Sequence, residues 1–142
     1  MKIIVDTNII FSGLLNTNSA IGEIIINSGS AFEFYSCNYM RYEIQKHWEK
    51  LKRISKLSDQ ELTDAQFHLF KRLKFANEEL IPVKIWEKAL ALTRDVDIDD
   101  TDFVALTIFL KGSLWTGDKE LYNGLKGKNF KAVLNTQDII KL

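Results

Sequence analysis

Short apolar runs alternate along this chain with longer segments in which apolar residues recur every three or four positions. Lys2–Val5 ends in three aliphatic residues, the continuous pattern of a strand covered on both faces. Ser19–Ser28 predicts a helix that stops near Gly29, and Phe32–Ser36 a second strand. Asn38 predicts the cap of a long amphipathic helix reaching about Ile54. Ser58 and Glu61 have capping-box spacing and start another helix, through about Lys74. Leu80–Ile81 before Pro82 is a short strand at best. Lys84–Arg94 and Thr101–Lys111 read as helices, Ser113–Thr116 as a strand entered from Gly112, and Phe130–Val133 as a late strand. Thr136 predicts the cap of a final short helix. Strands alternating with helices predict an α/β fold, three-layer α/β/α with a mostly parallel central sheet. No linker or repeat divides it, so one domain over 1–142 is expected.

Composition narrows this picture little. Apolar residues make up 46% of 142, enough for one real core. Lys+Arg and Asp+Glu number 19 each, so any attraction to phosphate must come from a local patch. The single cysteine, Cys37, allows no disulfide within the chain and is expected to be a buried structural thiol. Lys2, an apolar stretch and Ala20 imitate a signal peptide, but Asp6, Thr7 and Asn8 break the run. No run approaches the ~20 apolar residues of a membrane span. A cytoplasmic protein with no membrane partner is therefore expected.

In a parallel sheet, ligands bind beyond the C-terminal strand ends. Two predicted strands lead into acids there: VDTN at Asp6 and LWTGD at Asp118. A third acidic segment, DVDIDDTDF, opens a helix with Asp95, Asp97, Asp99, Asp100 and Asp102. The helix dipole favours acids in a first turn, which accounts for one or two of them. Five carboxylates in eight residues repel one another, and a divalent cation with a preference for oxygen ligands would relieve that. An EF-hand loop counted from Asp95 fails, because its glycine position falls on Asp100 and its final glutamate position on Leu106. Glu43, in NYMRYEIQKHW, shares a predicted helix face with Met40 and Ile44, an uncommon placement for an acid.

These motifs together resemble a PIN domain, over nearly the whole chain. The resemblance rests on KIIVDTNIIFSGLL, on the glutamate in RYEI, on DIDDTDFVALTIFLKG and on LWTGDKEL. It is greatest for the PIN-type toxins of bacterial toxin–antitoxin modules. It implies metal-dependent cleavage of RNA, with Mg²⁺ or Mn²⁺ as cofactor, an antitoxin as partner and a homodimer as assembly. By position, Asp6 would be the first metal ligand, Glu43 the second acid and Asp118 the fourth. For the third, Asp100 fits best by its distance from Phe103 and Ala105; Asp99 is the rival, with Asp97 and Asp102 behind. The segment GSLWTGD is one residue tighter than in many relatives. Asn8 and Thr116 would orient the carboxylates.

Bound cations would invert the charge of such a site, clamp a phosphodiester and activate water. Lys46, Lys50 and Arg53, beyond Glu43, are candidate RNA contacts, although cations there also suit a solvated helix face. Two alternatives remain. A non-catalytic PIN scaffold would bind RNA or protein without turnover. A HAD-like phosphatase would also end its first strand in Asp and use a Gly-Asp pair, but it needs a second Asp where Asn8 stands.

Overall fold

The computed structural model describes residues 1–16 and 18–142. Five strands, β1 (Lys2–Val5), β2 (Glu33–Cys37), β3 (Leu73–Ala76), β4 (Ser113–Trp115) and β5 (Val133–Leu134), form one sheet in the order β3-β2-β1-β4-β5. Every pairing is parallel. Among the described residues the helices are α1 (Thr7–Leu15), α2 (Ala20–Asn27), α3 (Tyr39–Lys46), α4 (Trp48–Ser55), α5 (Asp59–Phe70), α6 (Val83–Thr93), α7 (Thr101–Leu110), α8 (Lys119–Gly127) and α9 (Thr136–Ile140).

The helices flank the sheet in two groups. On one side α1 packs against α2, α3, α4 and α5; elsewhere α6 packs on α7 and α8, and α7 lies against β1, β2 and β4. Burial explains the central placement of β1: Ile3, Ile4 and Val5 are wholly enclosed, as a strand with helices over both faces requires. The unbroken buried run Phe103–Thr107 lets α7 fill the space beneath three strands. Trp115 closes the core at the end of β4, tilted against Phe34 and donating its indole N–H to Thr136 Oγ1 at 3.0 Å.

The chain runs from β1 outward to β2 and β3, then returns to lay β4 on the other side of β1. The direction of winding therefore reverses between β1 and β4, which opens a crevice beyond their C-terminal ends.

Several expectations need correction. The helix expected from Asn38 to Ile54 is two helices, divided at His47 (φ −104°, ψ 15°). No glycine or proline marks the break; it lets α4 lie on α1, with the His47 ring edge-on to Phe11. The Asn38 side chain makes no cap bond, and the Glu78 carboxylate accepts the Asn38 and Tyr39 amides instead. Helix α5 ends at Phe70 rather than Lys74, and residues 73–76 form β3, while the expected strand at Leu80–Ile81 is absent and Glu78–Leu80 is a 3-10 turn. Arg72 secures that change of direction by donating to the carbonyls of Ile25 and Gly29. The last helix is capped by Asn135 rather than Thr136. Two helices, α1 and α8, follow strand ends where no helix was expected.

Gly112 sits where β4 meets β1. A Cβ there would come within 2.6 Å of Ile4 Cδ1 and 2.8 Å of the Lys2 carbonyl oxygen. Backbone cannot yield as a side-chain tip can. Gly112→Ala is expected to destabilise the fold by about 1–3 kcal/mol, read from urea unfolding. An unchanged midpoint would mean that the β1–β4 junction is looser than this packing.

Candidate active site

Three acids reach the crevice at helix starts, and two of them cap the helix with a carboxylate oxygen. Each follows a strand or turn and precedes a helix, where free backbone N–H groups and the helix dipole favour negative charge. Asp6 caps α1, its Oδ1 accepting the amides of Asn8 at 2.8 Å and Ile9 at 3.3 Å. Asp118 caps α8, its Oδ1 accepting the amides of Glu120 at 2.9 Å and Leu121 at 3.2 Å. Asp100 stands before α7 but makes no side-chain cap bond, and its Oδ2 is buried with no hydrogen-bond partner.

Asp6 is wholly buried. Its second oxygen accepts the Thr116 hydroxyl at 2.5 Å, and Thr116 Oγ1 in turn accepts the Asp118 amide at 3.1 Å. Thr116 thus joins two of the acids. Burial pushes the Asp6 carboxyl up to about 6, against the pull of the Thr116 bond. Asp100 is pushed up to about 8, first by burial and then by the charges of Asp6, Asp97, Asp118 and Glu43.

Glu43 enters from α3, half-buried, and accepts the Thr7 hydroxyl at 2.5 Å. Burial again raises its pKa, with Asp99 adding repulsion. Asp6, Asp97, Asp99, Asp100, Asp118 and Glu43 line one cavity of about 120 Å³, together with Thr7, Asn8 and Phe103. No Lys or Arg is among these lining residues.

The five-acid segment divides by direction. Asp95 turns away to an ion pair with Lys128. Asp97 caps the 3-10 turn Ile98–Asp100 by accepting the Asp99 amide at 3.0 Å. One carboxylate oxygen from each of Asp97, Asp100 and Asp118 lies within 4.8 Å of the others. Asp102 leaves the cleft and approaches Cys37 and Glu78. Cys37 is fully buried and burial raises its thiol pKa, so it is held protonated, in keeping with a structural role.

The structure therefore brings Asp6, Glu43, Asp100 and Asp118 to one cleft, with Asp99 on its rim. Asn8 acts on Asp6 through its backbone amide, while its side chain is exposed. Lys46, Lys50 and Arg53 are exposed and do not line the cleft; Lys50 lines a separate groove with Phe11, Leu15, His47 and Ile54. Thr7 is the residue whose part the sequence did not disclose, and Asp97, ranked behind Asp100 and Asp99, lines the cleft with them. Thr7 holds Glu43 across 36 residues of chain, a pairing with no local signal. The signal that would have ranked Asp97 higher is its position as the acid that caps the turn into Asp99 and Asp100.

The donor set suits a hard divalent cation. It is all oxygen and crowded, and it holds a buried carboxylate oxygen that lacks a partner.

Among solved structures, a similar chain occurs in the crystal structure of VapBC2 from Rickettsia felis bound to a DNA fragment from their promoter. The likeness covers 95% of this chain and 98% of that one, with a TM-score of 0.64 at 14% identity. No curated protein matches the sequence. The PIN domain family matches residues 4–138, all but the first three and last four positions, and the chain belongs to that family.

Proposed function

We propose that this PIN domain is a metal-dependent endoribonuclease that hydrolyses phosphodiester bonds in single-stranded or structured RNA. One observation carries the reading: carboxylates from separate segments converge on a cleft lined by no Lys or Arg, with the inner oxygen of Asp100 unpartnered. Such crowding is tolerable if a cation occupies the cleft. Asp6, Asp100 and Asp118 would hold Mg²⁺ or Mn²⁺, with Asp97 or Asp99 beside them. When bound, the cation supplies positive charge for the scissile phosphate and lowers the pKa of water.

The protein's own groups fix the geometry. The Thr116 hydroxyl and the Asn8 amide keep the Asp6 carboxylate in one orientation. Thr7 holds Glu43 at the cleft wall, where its raised pKa suits it to take a proton from an attacking water. Lys46, one turn beyond Glu43 on α3, and Lys50 and Arg53 on α4 are exposed cations that would meet the RNA backbone.

The similarity to a chain from a VapBC2 assembly supports the narrower reading, the toxin of a toxin–antitoxin pair. That reading includes an antitoxin partner, a homodimer and a cytoplasmic site of action. Among the described residues, no single helix is long and apolar enough to cross a membrane.

Asp6→Asn is expected to remove Mg²⁺- or Mn²⁺-dependent cleavage of a labelled RNA while the far-UV spectrum stays unchanged. Equal rates in variant and parent would assign the cleavage to another site. Thr116→Val, which leaves all the acids in place, is expected to slow cleavage by about 10–100-fold. RNA binding without turnover would favour a scaffold, and turnover of p-nitrophenyl phosphate would favour a phosphatase.

Stability gives an independent check. Asp6 and Asp100 titrate higher in the folded chain than the ~3.9 of an unfolded aspartate. Folding therefore binds protons in this range. The contribution is present at low pH and is lost as pH rises through about 6 and then about 8. The melting temperature of metal-free protein should fall between pH 5 and 9, as pH values set in the experiment, and millimolar Mn²⁺ should restore it at the alkaline end. Asp100→Asn should raise the metal-free melting temperature by about 3 °C or more at pH 8 and abolish the Mn²⁺ effect. A melting temperature independent of both pH and Mn²⁺ would mean that the carboxylates do not form one coupled cation site.

A further inference from the structure

A second cavity, of about 430 Å³, adjoins the acidic cleft, and Asp118 lines both. It lies beyond the C-terminal ends of β4 and β5, between the start of α8 and the start of α9. Lys119, Tyr122 and Asn123 come from one face of α8, at positions i, i+3 and i+4. Thr136 and Gln137 come from α9.

Its walls are fixed in place. The Tyr122 hydroxyl donates to Asp138 Oδ2 at 2.9 Å, and the same oxygen accepts the Asn135 amide that closes the α9 capping box. That links α8 to α9 directly. Thr136 is held from below by the wholly buried Trp115. By contrast, the side-chain amides of Asn123 and Gln137 are exposed and form no hydrogen bond with the described residues.

The chemistry differs from that of the cleft. The cleft presents carboxylates, whereas this cavity presents an aromatic ring, two unengaged amides and one ammonium, with Asp118 as its acid. Each amide supplies a donor pair and an acceptor, the complement of a base edge, and a phenol ring suits the flat face of an unstacked base. The volume falls within the ~300–1,000 Å³ usual for small-ligand sites. A bare phosphate or cation would leave the ring and the amides without a role.

We propose that this cavity binds the nucleoside next to the scissile phosphate of an RNA substrate, and that Asn123 and Gln137 discriminate its base. The word scissile rests on the nuclease reading above; the binding of a nucleotide does not. The test titrates the full chain, with Mg²⁺ present, with each of the four ribonucleoside 5′-monophosphates and with inorganic phosphate, following the Asn123 and Gln137 side-chain amide signals by ¹⁵N NMR. Saturable shifts with at least one nucleotide, and affinities that differ among the bases, are expected. An Asn123→Ala, Gln137→Ala double variant should weaken the preferred nucleotide about tenfold. Asn123→Asp, close to isosteric, should change which base is preferred. In the parent protein the preference should reappear as a base bias beside the cut site in a mixed-sequence RNA, and the double variant should flatten that bias.

The proposal is overturned if inorganic phosphate reproduces the shifts, if nucleotides perturb only the acidic cleft, or if the double variant binds all four bases as the parent does. Nucleotide binding here without RNA cleavage would sink the nuclease reading and leave the cavity assignment standing. Cleavage with these amide signals unmoved would do the reverse.

Discussion

The parallel pairing of β1 with β4 is the constraint on which the site depends. It sets Val5 opposite Trp115, so the residues that follow each strand, Asp6 and Thr116, meet although 110 positions separate them. The Thr116 hydroxyl then occupies one oxygen of Asp6 and steadies the amide of Asp118. Without that register the two acids would belong to unrelated loops. Gly112 matters for the same reason, since it allows the two backbones to approach at the start of β4.

Three helices begin at the crevice, and this offsets part of a large electrostatic cost. Like charges a few ångströms apart in a partly buried site repel by a few kcal/mol per pair. The amides at the starts of α1 and α8 satisfy one oxygen each of Asp6 and Asp118. Asp100 has no such compensation, and its carboxyl is the one driven furthest from its ordinary range. A chain under selection for stability alone would replace it with a neutral residue. Strain of this kind, confined to one cleft of an otherwise well-packed fold, is what a binding site retains when its ligand removes the strain.

Local chemistry made much of this legible in the sequence. The aliphatic run before Asp6, the Ser58–Glu61 capping box and the buried run of α7 are short-range signals, and the structure bears each of them out. What was hidden depends on distant partners. Residues 73–76 look like the end of a cationic helix until Phe34–Cys37 is available to pair with them. The break at His47 answers to α1, not to any residue beside it. At the site, the convergence of Asp6 and Asp118 followed from strand ends, whereas the choice among five aspartates did not, because it depends on whether each side chain faces Lys128, the cleft or Cys37.

That division of the acidic segment also explains why so many carboxylates can coexist there. Asp95 is neutralised by Lys128, and Asp97 is engaged by the Asp99 amide. Asp102 does not line the cleft and lies near Cys37 and Glu78. The carboxylates of the segment are thereby divided among three environments, and the largest shift falls on Asp100. Asp118 lies beside Asp100 and also lines the amide-bearing cavity of α8 and α9. One short helix start thus separates a carboxylate cleft that favours a cation from a cavity that presents a ring and side-chain amides.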